Sequence, residues 1–222
     1  MIEEHLTVPR TARYWRDGAE PSEARDVIVG LHGHSQLAAR FLQDLLPLRD
    51  PVTLIAAPEA LSRFYLETSR DGRHGEMIGA SWLTREDREA DLLDSYHYLD
   101  LLATQLISRC PLRPRLTVLG FSQGSVMAVR WMIHATVVPV RLILWGSPLP
   151  NDAGPAAVAG LNGTTVVLVA GDRDPIVPPG RIEADAAALR AVGLDAWAER
   201  FSGSHTLAPE PLLRAVGRVP AT

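Results

Sequence analysis

This chain contains a serine, an aspartate and a histidine, Ser122, Asp174 and His205, of the types that nucleophilic catalysis requires. A serine hydroxyl is a weak nucleophile at neutral pH, so it needs an imidazole that accepts its proton during attack and returns it to the leaving group. A carboxylate on the far ring nitrogen fixes the tautomer of that imidazole and stabilises its charged form. We therefore predict Ser122 as the nucleophile, His205 as the base and Asp174 as the residue that orients the base.

The serine lies between two glycines at a change of sequence pattern. An apolar run at 116–119 leads into Gly120, Ser122 and Gly124, and a helix-like pattern follows from Ser125. This order predicts a strand, a sharp turn and a helix, with the hydroxyl of Ser122 exposed above the edge of a sheet. Both glycines are expected because a Cβ at either position would collide with the neighbouring strand or helix.

Asp174 and His205 also follow predicted strands. The apolar run at 165–170 is followed by Gly171-Asp172-Arg173-Asp174, and the run at 196–201 by Ser202-Gly203-Ser204-His205. Loops at the carboxyl ends of parallel strands carry the functional groups in such sheets, which favours a shared site with Ser122. Asp172 lies in the same loop as Asp174 and stays open as the alternative.

A tetrahedral intermediate on Ser122 would need donors for its oxyanion, commonly two backbone N–H groups. Gln123 follows the serine directly, and His34 follows the apolar run at 27–31, so we predict their amides as the oxyanion hole. Because both contributions are main-chain, the side chains there are free to vary. His32 and His34 could also form a metal pair on an extended segment, but no Cys or Glu cluster completes a ligand set, and no metal site is predicted.

The elements around these loops indicate an α/β domain. Apolar strand patterns alternate with helical patterns for most of the chain, which predicts a mainly parallel, doubly wound sheet covered on both faces. At the N-terminal end, residues 5–8 and 11–15 are predicted as a short antiparallel strand pair. Residues 59–81 have no clean period and are predicted as an irregular, lid-like loop within a single domain over residues 1–222.

The composition excludes several classes of function. All 22 basic residues are arginine, so the chain has no lysine for a Schiff base or for a phosphate-binding Gly-Lys-Ser/Thr loop. The net charge of −4 makes nucleic acid an unfavoured partner. No apolar run approaches the length of a membrane span, so no integral membrane contact is expected. The beginning of the chain does not look like a signal peptide, and we expect a cytoplasmic protein.

Four motifs resemble the bacterial phospholipase/carboxylesterase family of α/β-hydrolases, which includes acyl-protein thioesterases. They are Leu31-His32-Gly33, Gly120-Phe121-Ser122-Gln123-Gly124-Ser125, Gly171-x-x-Asp174-x-x-Val177-Pro178 and the late His205. The resemblance covers the chain from about Val27 onward. It implies the α/β-hydrolase fold with a minimal or absent cap domain, and a cofactor-free serine esterase acting on short- to medium-chain esters. His34-Ser35-Gln36 depart from the family pattern of an apolar residue, Gly and Asp.

The substrate is the least determined part of this interpretation. Phe64, Trp82, Ile176 and Val177 are predicted to form the apolar acyl wall, with Ala80-Ser81-Trp82 resembling the family's segment there. The segment 59–81 contains arginines at positions 63, 70 and 73, which suggests a substrate with a carboxylate or phosphate. Arg63 and Arg73 are the residues predicted to bind that charge. Thioesterase or lysophospholipase activity would use the same three residues. A non-catalytic binding module on the same fold, and a homodimer, also stay open.

Overall fold

The structure is a computed structural model that describes residues 1–66 and 77–218. Seven strands form one sheet in the order β1-β3-β2-β6-β7-β8-β9, in which β1 is antiparallel to β3 and every other pair is parallel. These strands are β1 (Tyr14–Gly18), β2 (Asp26–Leu31), β3 (Thr53–Pro58), β6 (Arg115–Phe121), β7 (Arg141–Trp145), β8 (Thr165–Gly171) and β9 (Asp195–Phe201). A separate antiparallel ribbon consists of β4 (Ser62–Tyr65) and β5 (Ile78–Ser81).

Helices cover both faces of the sheet, as predicted for a doubly wound fold. The helices are α1 (Ala38–Leu45), followed by a 3-10 turn at Leu46–Leu48, α2 (Arg88–Ser108), α3 (Gln123–His134), α4 (Pro155–Val158), α5 (Arg181–Ala191) and α6 (Pro209–Ala215). Side chains alternate between two buried clusters along the central strands. Val27 and Val29 pack in the cluster that includes α2, α3 and α5, whereas Ile28 packs in the cluster that includes α1 and α6. Burial on both faces explains why these strands are continuous apolar runs in the sequence.

Two local predictions differ from the structure. Residues 5–8 form no strand; the antiparallel pair at the N-terminal end is made by β1 and β3, because the register Tyr14↔Pro58 to Gly18↔Leu54 places β1 on the free edge of β3. The segment 59–81 is not irregular throughout, since its described flanks pair as β4 and β5. The remainder of the predicted lid, residues 67–76, lies outside the described residues.

In the described part of the chain, no helix combines the length and the apolar character needed to cross a membrane.

Candidate active site

The turn that carries Ser122 joins β6 to α3 and is sterically crowded. Ser122 has φ +53° and ψ −116°, a conformation that few non-glycine residues adopt, and its amide donates to the carbonyl oxygen of Trp145 (2.8 Å). A Cβ at Gly124 would lie 2.0 Å from the carbonyl oxygen of Leu31, and a Cβ at Gly120 would lie 2.4 Å from that of Gly124. The prediction that both glycines are needed for steric reasons is confirmed.

Ser125 also holds this turn, and the sequence analysis did not identify that role. Its buried hydroxyl lies 2.7 Å from the carbonyl oxygen of Gly120 and accepts a hydrogen bond from the amide of Trp145 (2.9 Å). The turn is therefore tied to the end of the neighbouring strand β7 by a side chain as well as by the Ser122 amide. A small hydroxyl residue directly after the second glycine was the only signal in the sequence.

Asp174 and His205 form a hydrogen-bonded pair at the ends of β8 and β9. Nδ1 of His205 lies 2.8 Å from Oδ2 of Asp174, whose side chain is 1% exposed. The other carboxylate oxygen of Asp174 accepts the amide of Ile176 (2.8 Å), which fixes the orientation of the carboxylate. Because Nδ1 is engaged by an acceptor, the proton of the neutral ring resides on Nδ1, and Nε2 is left as the basic nitrogen.

The ring of His205 lies over the end of β7, between Asp174 and the serine turn. A Cβ at Gly146, which follows β7 with φ +65°, would be 2.8 Å from Cε1 of His205. The ring also packs against Phe121, the residue before Ser122, with a centroid separation of 4.8 Å. The strand order β6-β7-β8-β9 thus brings the loops of Ser122, Gly146, Asp174 and His205 to one edge of the sheet.

Asp172 has a different partner. Its Oδ1 accepts the amide of Gly203 (2.9 Å), and its side chain is 48% exposed beside Arg173. Asp172 therefore holds the loop that leads to His205, whereas Asp174 contacts the imidazole itself. Between the two alternatives that the sequence left open, the structure pairs His205 with Asp174.

The loop after β2 is held on both sides of His34. The amide of Gly33 donates to the side-chain oxygen of Gln36 (2.7 Å), and the amide of Ser35 donates to the carbonyl oxygen of Ala80 (2.9 Å). Within residues 1–66 and 77–218, no protein acceptor is hydrogen-bonded to the amides of His34 or Gln123. Gln36, which departs from the resembled family's pattern, supplies the acceptor that holds this loop.

His32 is buried and neutral, and it is not available to a metal ion. Its Nδ1 donates to the carbonyl oxygen of Gly33 (2.7 Å), and its Nε2 accepts the amide of Ala60 (3.0 Å). Burial lowers the pKa of His32 below its ordinary value, although the hydrogen bond to Gly33 and the charge of Glu59 act in the opposite direction. His34 is exposed and stacks on Phe64, with ring centroids 5.3 Å apart.

The residues predicted for the acyl wall separate into two groups. Trp82 and Val177 are each 1% exposed and belong to the core, so they offer no open face to a substrate; for these two the prediction is wrong. Phe64 is half-buried beside His34, and Ile176 is 51% exposed next to Asp174. Large apolar residues near a motif are more often core than wall, because the core needs them for packing.

Arg63 is engaged by a buried carboxylate. Its guanidinium lies 3.2 Å from Oε1 of Glu59, which is 1% exposed and also accepts Nε of Arg13 (2.6 Å). Burial alone would raise the pKa of Glu59, but the hydrogen bonds from both arginines outweigh it and the pKa is lowered. Glu59 is shared by Arg13 and Arg63, so one carboxylate faces two guanidinium groups and the cluster keeps a net positive charge. Arg73, the other arginine proposed to read an anionic substrate, lies outside the described residues.

An apolar groove opens beside the loop that carries His34. It has a volume of about 430 Å³ and runs between the start of α1 and the ends of the β4–β5 ribbon. Of the residues that the structure describes, Leu37, Leu66, Met77 and Ile78 line its apolar side and Ser35, Gln36 and Arg40 its polar side.

Comparisons with known proteins give the fold. No protein-family model matches the chain, and no curated protein matches it in sequence. Among solved structures, esterase PE8 is similar with a TM-score of 0.69 and 24% identity, over 93% of this chain and 96% of that chain. Acyl-protein thioesterase 2 of Zea mays has a TM-score of 0.66 and 21% identity, over 90% and 94% of the two chains.

A third similar structure is a phospholipase/carboxylesterase from Dyadobacter fermentans. It has a TM-score of 0.64 and 18% identity, over 95% of this chain and 97% of that chain. In each of the three comparisons the similarity covers at least nine-tenths of this chain and of the other chain, so the whole fold is similar and not one motif alone. The chain therefore has the α/β-hydrolase fold of these esterases and thioesterases.

Proposed function

We propose that this protein is a serine hydrolase that cleaves carboxylic esters through an acyl-enzyme on Ser122. The observation that carries the proposal is the Asp174–His205 hydrogen bond of 2.8 Å, formed over the end of β7 beside the strained turn of Ser122. A buried carboxylate that fixes the tautomer of an imidazole next to a half-buried serine at a strained turn is the arrangement that activates a hydroxyl. The solved structures with this fold include proteins named esterase, carboxylesterase and thioesterase, which supports the same chemistry.

In the proposed reaction, Oγ of Ser122 attacks the carbonyl carbon of the ester while Nε2 of His205 takes the hydroxyl proton. Asp174 stabilises the imidazolium through Nδ1, and the amides of His34 and Gln123 bind the oxyanion. Collapse of the tetrahedral intermediate expels the alcohol, which receives the proton from His205. Water then attacks the acyl-enzyme with His205 as its base, and the carboxylic acid leaves.

The groove beside His34 favours a short to medium acyl chain. Its walls are aliphatic, and its volume of about 430 Å³ is in the range of small-molecule sites. We propose that the acyl group of the substrate lies in this groove while the carbonyl oxygen faces the amides of the oxyanion hole. Thioesters and lysophospholipids offer the same acyl carbonyl to the same residues, so they are included in the panel below.

The test is hydrolysis of p-nitrophenyl acetate, butyrate, octanoate and palmitate by the wild type and by Ser122→Ala. We expect turnover by the wild type, and a loss of about 10⁶-fold in the variant, which is the scale measured when a serine nucleophile is removed. A fluorophosphonate should label the wild type but not the variant. A parallel panel of acyl-thioesters and a lysophospholipid identifies the preferred class of substrate.

Equal rates for the wild type and Ser122→Ala, together with no labelling, would contradict the proposal. That result would favour the other class of function, a binding module on an α/β-hydrolase fold. Ser125→Ala is not a suitable control because its hydroxyl holds the turn. Ser204→Ala is the matched control, since this serine is exposed in the loop before His205 and its side chain is not part of the proposed machinery.

A further inference from the structure

We propose that residues Ala80–Leu83, here called the bridge segment, set the spacing between the two amides of the oxyanion hole. The inference rests on the proposed function and adds the side chains of Trp82, Gln123 and His32 as positioning residues. The two amides belong to distant parts of the chain, at positions 34 and 123, in loops that follow the adjacent parallel strands β2 and β6. The bridge segment is hydrogen-bonded to both loops, and substitutions at Trp82 and at Gln123 remove a side-chain contact on one side or the other.

On one side, the bridge segment holds the loop of His34 before and after that residue. The indole N–H of Trp82 donates to the carbonyl oxygen of His32 (2.9 Å). The carbonyl oxygen of Ala80 accepts the amide of Ser35 (2.9 Å), and the amide of Ala80 donates to Gln36 (3.2 Å). His34 therefore lies between two anchored neighbours, and its own amide is the one left without a protein acceptor in the described residues.

On the other side, the carboxamide of Gln123 holds the bridge segment. Its Oε1 accepts the amide of Trp82 (3.0 Å), and its Nε2 donates to the carbonyl oxygen of Leu83 (2.9 Å) and to the hydroxyl of Ser81 (3.0 Å). A side-chain amide is required to make these three hydrogen bonds, because the oxygen must accept one of them and the nitrogen must donate the other two. The expectation that the side chain at 123 is free to vary is therefore replaced by a specific requirement.

His32 completes the connection. Its imidazole donates to Gly33 and accepts from Ala60, and its ring lies 5.1 Å from that of Trp82. Both rings are buried, with His32 at 0% and Trp82 at 1% exposure. A continuous path of hydrogen bonds thus runs from the carboxamide of Gln123 through Trp82 to His32 and the loop of His34. Donors in a preorganised oxyanion hole must be held in place before the charge develops, and this path does so.

Trp82→Phe removes the indole donor and keeps an aromatic ring. We expect kcat on p-nitrophenyl butyrate to fall by about 10- to 100-fold with little change in KM, because small displacements of catalytic groups cost up to about 10² in rate. Affinity for a trifluoromethyl ketone, which binds as an oxyanion, should fall with kcat. Trp131→Phe is the matched control, because it also removes a buried indole donor. The indole N–H of Trp131 donates to Oδ1 of Asp100 (2.7 Å), away from the site.

Gln123→Glu tests the other half of the path and leaves the backbone amide in place. An ionised carboxylate cannot donate to Leu83, whereas the protonated acid can. We therefore expect low activity at pH 8 and a ratio of variant to wild-type kcat that rises as the pH falls toward 5. Gln123→Met, whose thioether cannot donate and accepts only weakly, should be impaired with no such recovery.

The outcomes separate this inference from the proposed function. The inference would be overturned if kcat of Trp82→Phe were within twofold of wild type, or if Trp131→Phe lost as much kcat as Trp82→Phe. Ser122-dependent turnover of the wild type would still support the proposed enzyme in either case. A pH-independent ratio for Gln123→Glu would also contradict it. If the wild type lacked Ser122-dependent turnover, the proposed function itself would fail, and the inference with it. Thermal melting of each variant identifies any loss that reflects unfolding.

Discussion

The two walls of the candidate site are built in different ways. The wall at the ends of β6 to β9 is made of short loops, in which Ser122, Asp174 and His205 lie within four residues of their strand ends and contact groups from neighbouring strands. The wall that carries His34 is assembled from β2, the residues after β3 and the β4–β5 ribbon, with hydrogen bonds between residues 28 to 50 positions apart. Strand order brings the reacting groups of the first wall together, whereas the second wall depends on the side chains of His32 and Trp82, which bond to main-chain atoms of distant segments.

This difference has a physical consequence for how each wall tolerates change. Strand ends are positioned by the backbone hydrogen bonds of the sheet, which survive most side-chain substitutions. A loop held by Gln36, Trp82 and His32 loses its position when one donor or acceptor is removed, and the partner left unpaired in the interior costs about 1–3 kcal/mol. The first wall should therefore be sensitive at the reacting groups and at crowded glycines, and the second at groups that never touch the substrate.

Among changes that leave Ser122 in place, the largest effect is expected in the first wall, from Asp174→Asn. An asparagine would favour the wrong tautomer of His205, and the comparable change in a serine triad lowers kcat by about 10⁴-fold. Asp172→Asn is the matched control, because its amide oxygen can still accept from Gly203. Steady-state kinetics on p-nitrophenyl butyrate should show near-wild-type activity for that control. Similar losses in both variants would contradict the assignment of Asp174.

A smaller but clear effect is expected from Gly146→Ala. The new Cβ would be 2.8 Å from Cε1 and 3.0 Å from Nδ1 of His205, so the ring must move. We expect kcat/KM to fall by about 10²-fold, the scale of a displacement of about 1 Å. Gly193→Ala controls for backbone strain, since Gly193 also has a positive φ (+89°) but has no atom within 4 Å of an added Cβ. If both variants kept wild-type activity, the position of His205 over Gly146 would be wrong.

The smallest effect concerns the second wall and appears as a pH dependence of stability. The pKa of His32 is lowered in the folded protein, so the unfolded chain binds the additional proton first as the pH falls. The contribution of neutral His32 to the free energy of unfolding is complete above about pH 6.5, the pKa of histidine in the unfolded chain. Below that pH the contribution decreases by at most about 1.4 kcal/mol per pH unit, until the pKa of His32 in the folded protein is reached. Urea unfolding of the wild type at pH 8, 7, 6 and 5 should show this decrease.

The comparison for that prediction is between His32→Gln and His97→Gln. A glutamine at position 32 does not titrate, so the decrease in unfolding free energy between pH 7 and pH 5 should become smaller in that variant. His97 is exposed on α2, and its replacement should leave the decrease unchanged. Equal pH dependence in the wild type and His32→Gln would show that His32 does not carry the effect.

Most of the sheet was predictable because its strands are buried on both faces. Continuous apolar runs such as residues 27–31 and 165–170 correspond closely to β2 and β8. The ribbon β4–β5 was missed because its strands are only four residues long, which is too short for a clear periodic pattern in the sequence. Residues 5–8 have a strand-like pattern but remain exposed, and no strand in the described part of the chain pairs with them.

The sequence by itself determined the order Ser122, Asp174, His205 and the crowded glycines of the serine turn, because these are local features of strand ends. It did not decide between Asp172 and Asp174, since both carboxylates lie two residues apart in one loop; the distance to His205 decided that. It also placed Trp82 in the substrate wall and treated the side chain of Gln123 as replaceable. Only the tertiary structure shows what each contacts, because hydrogen bonds between distant segments leave no periodic signal in a sequence.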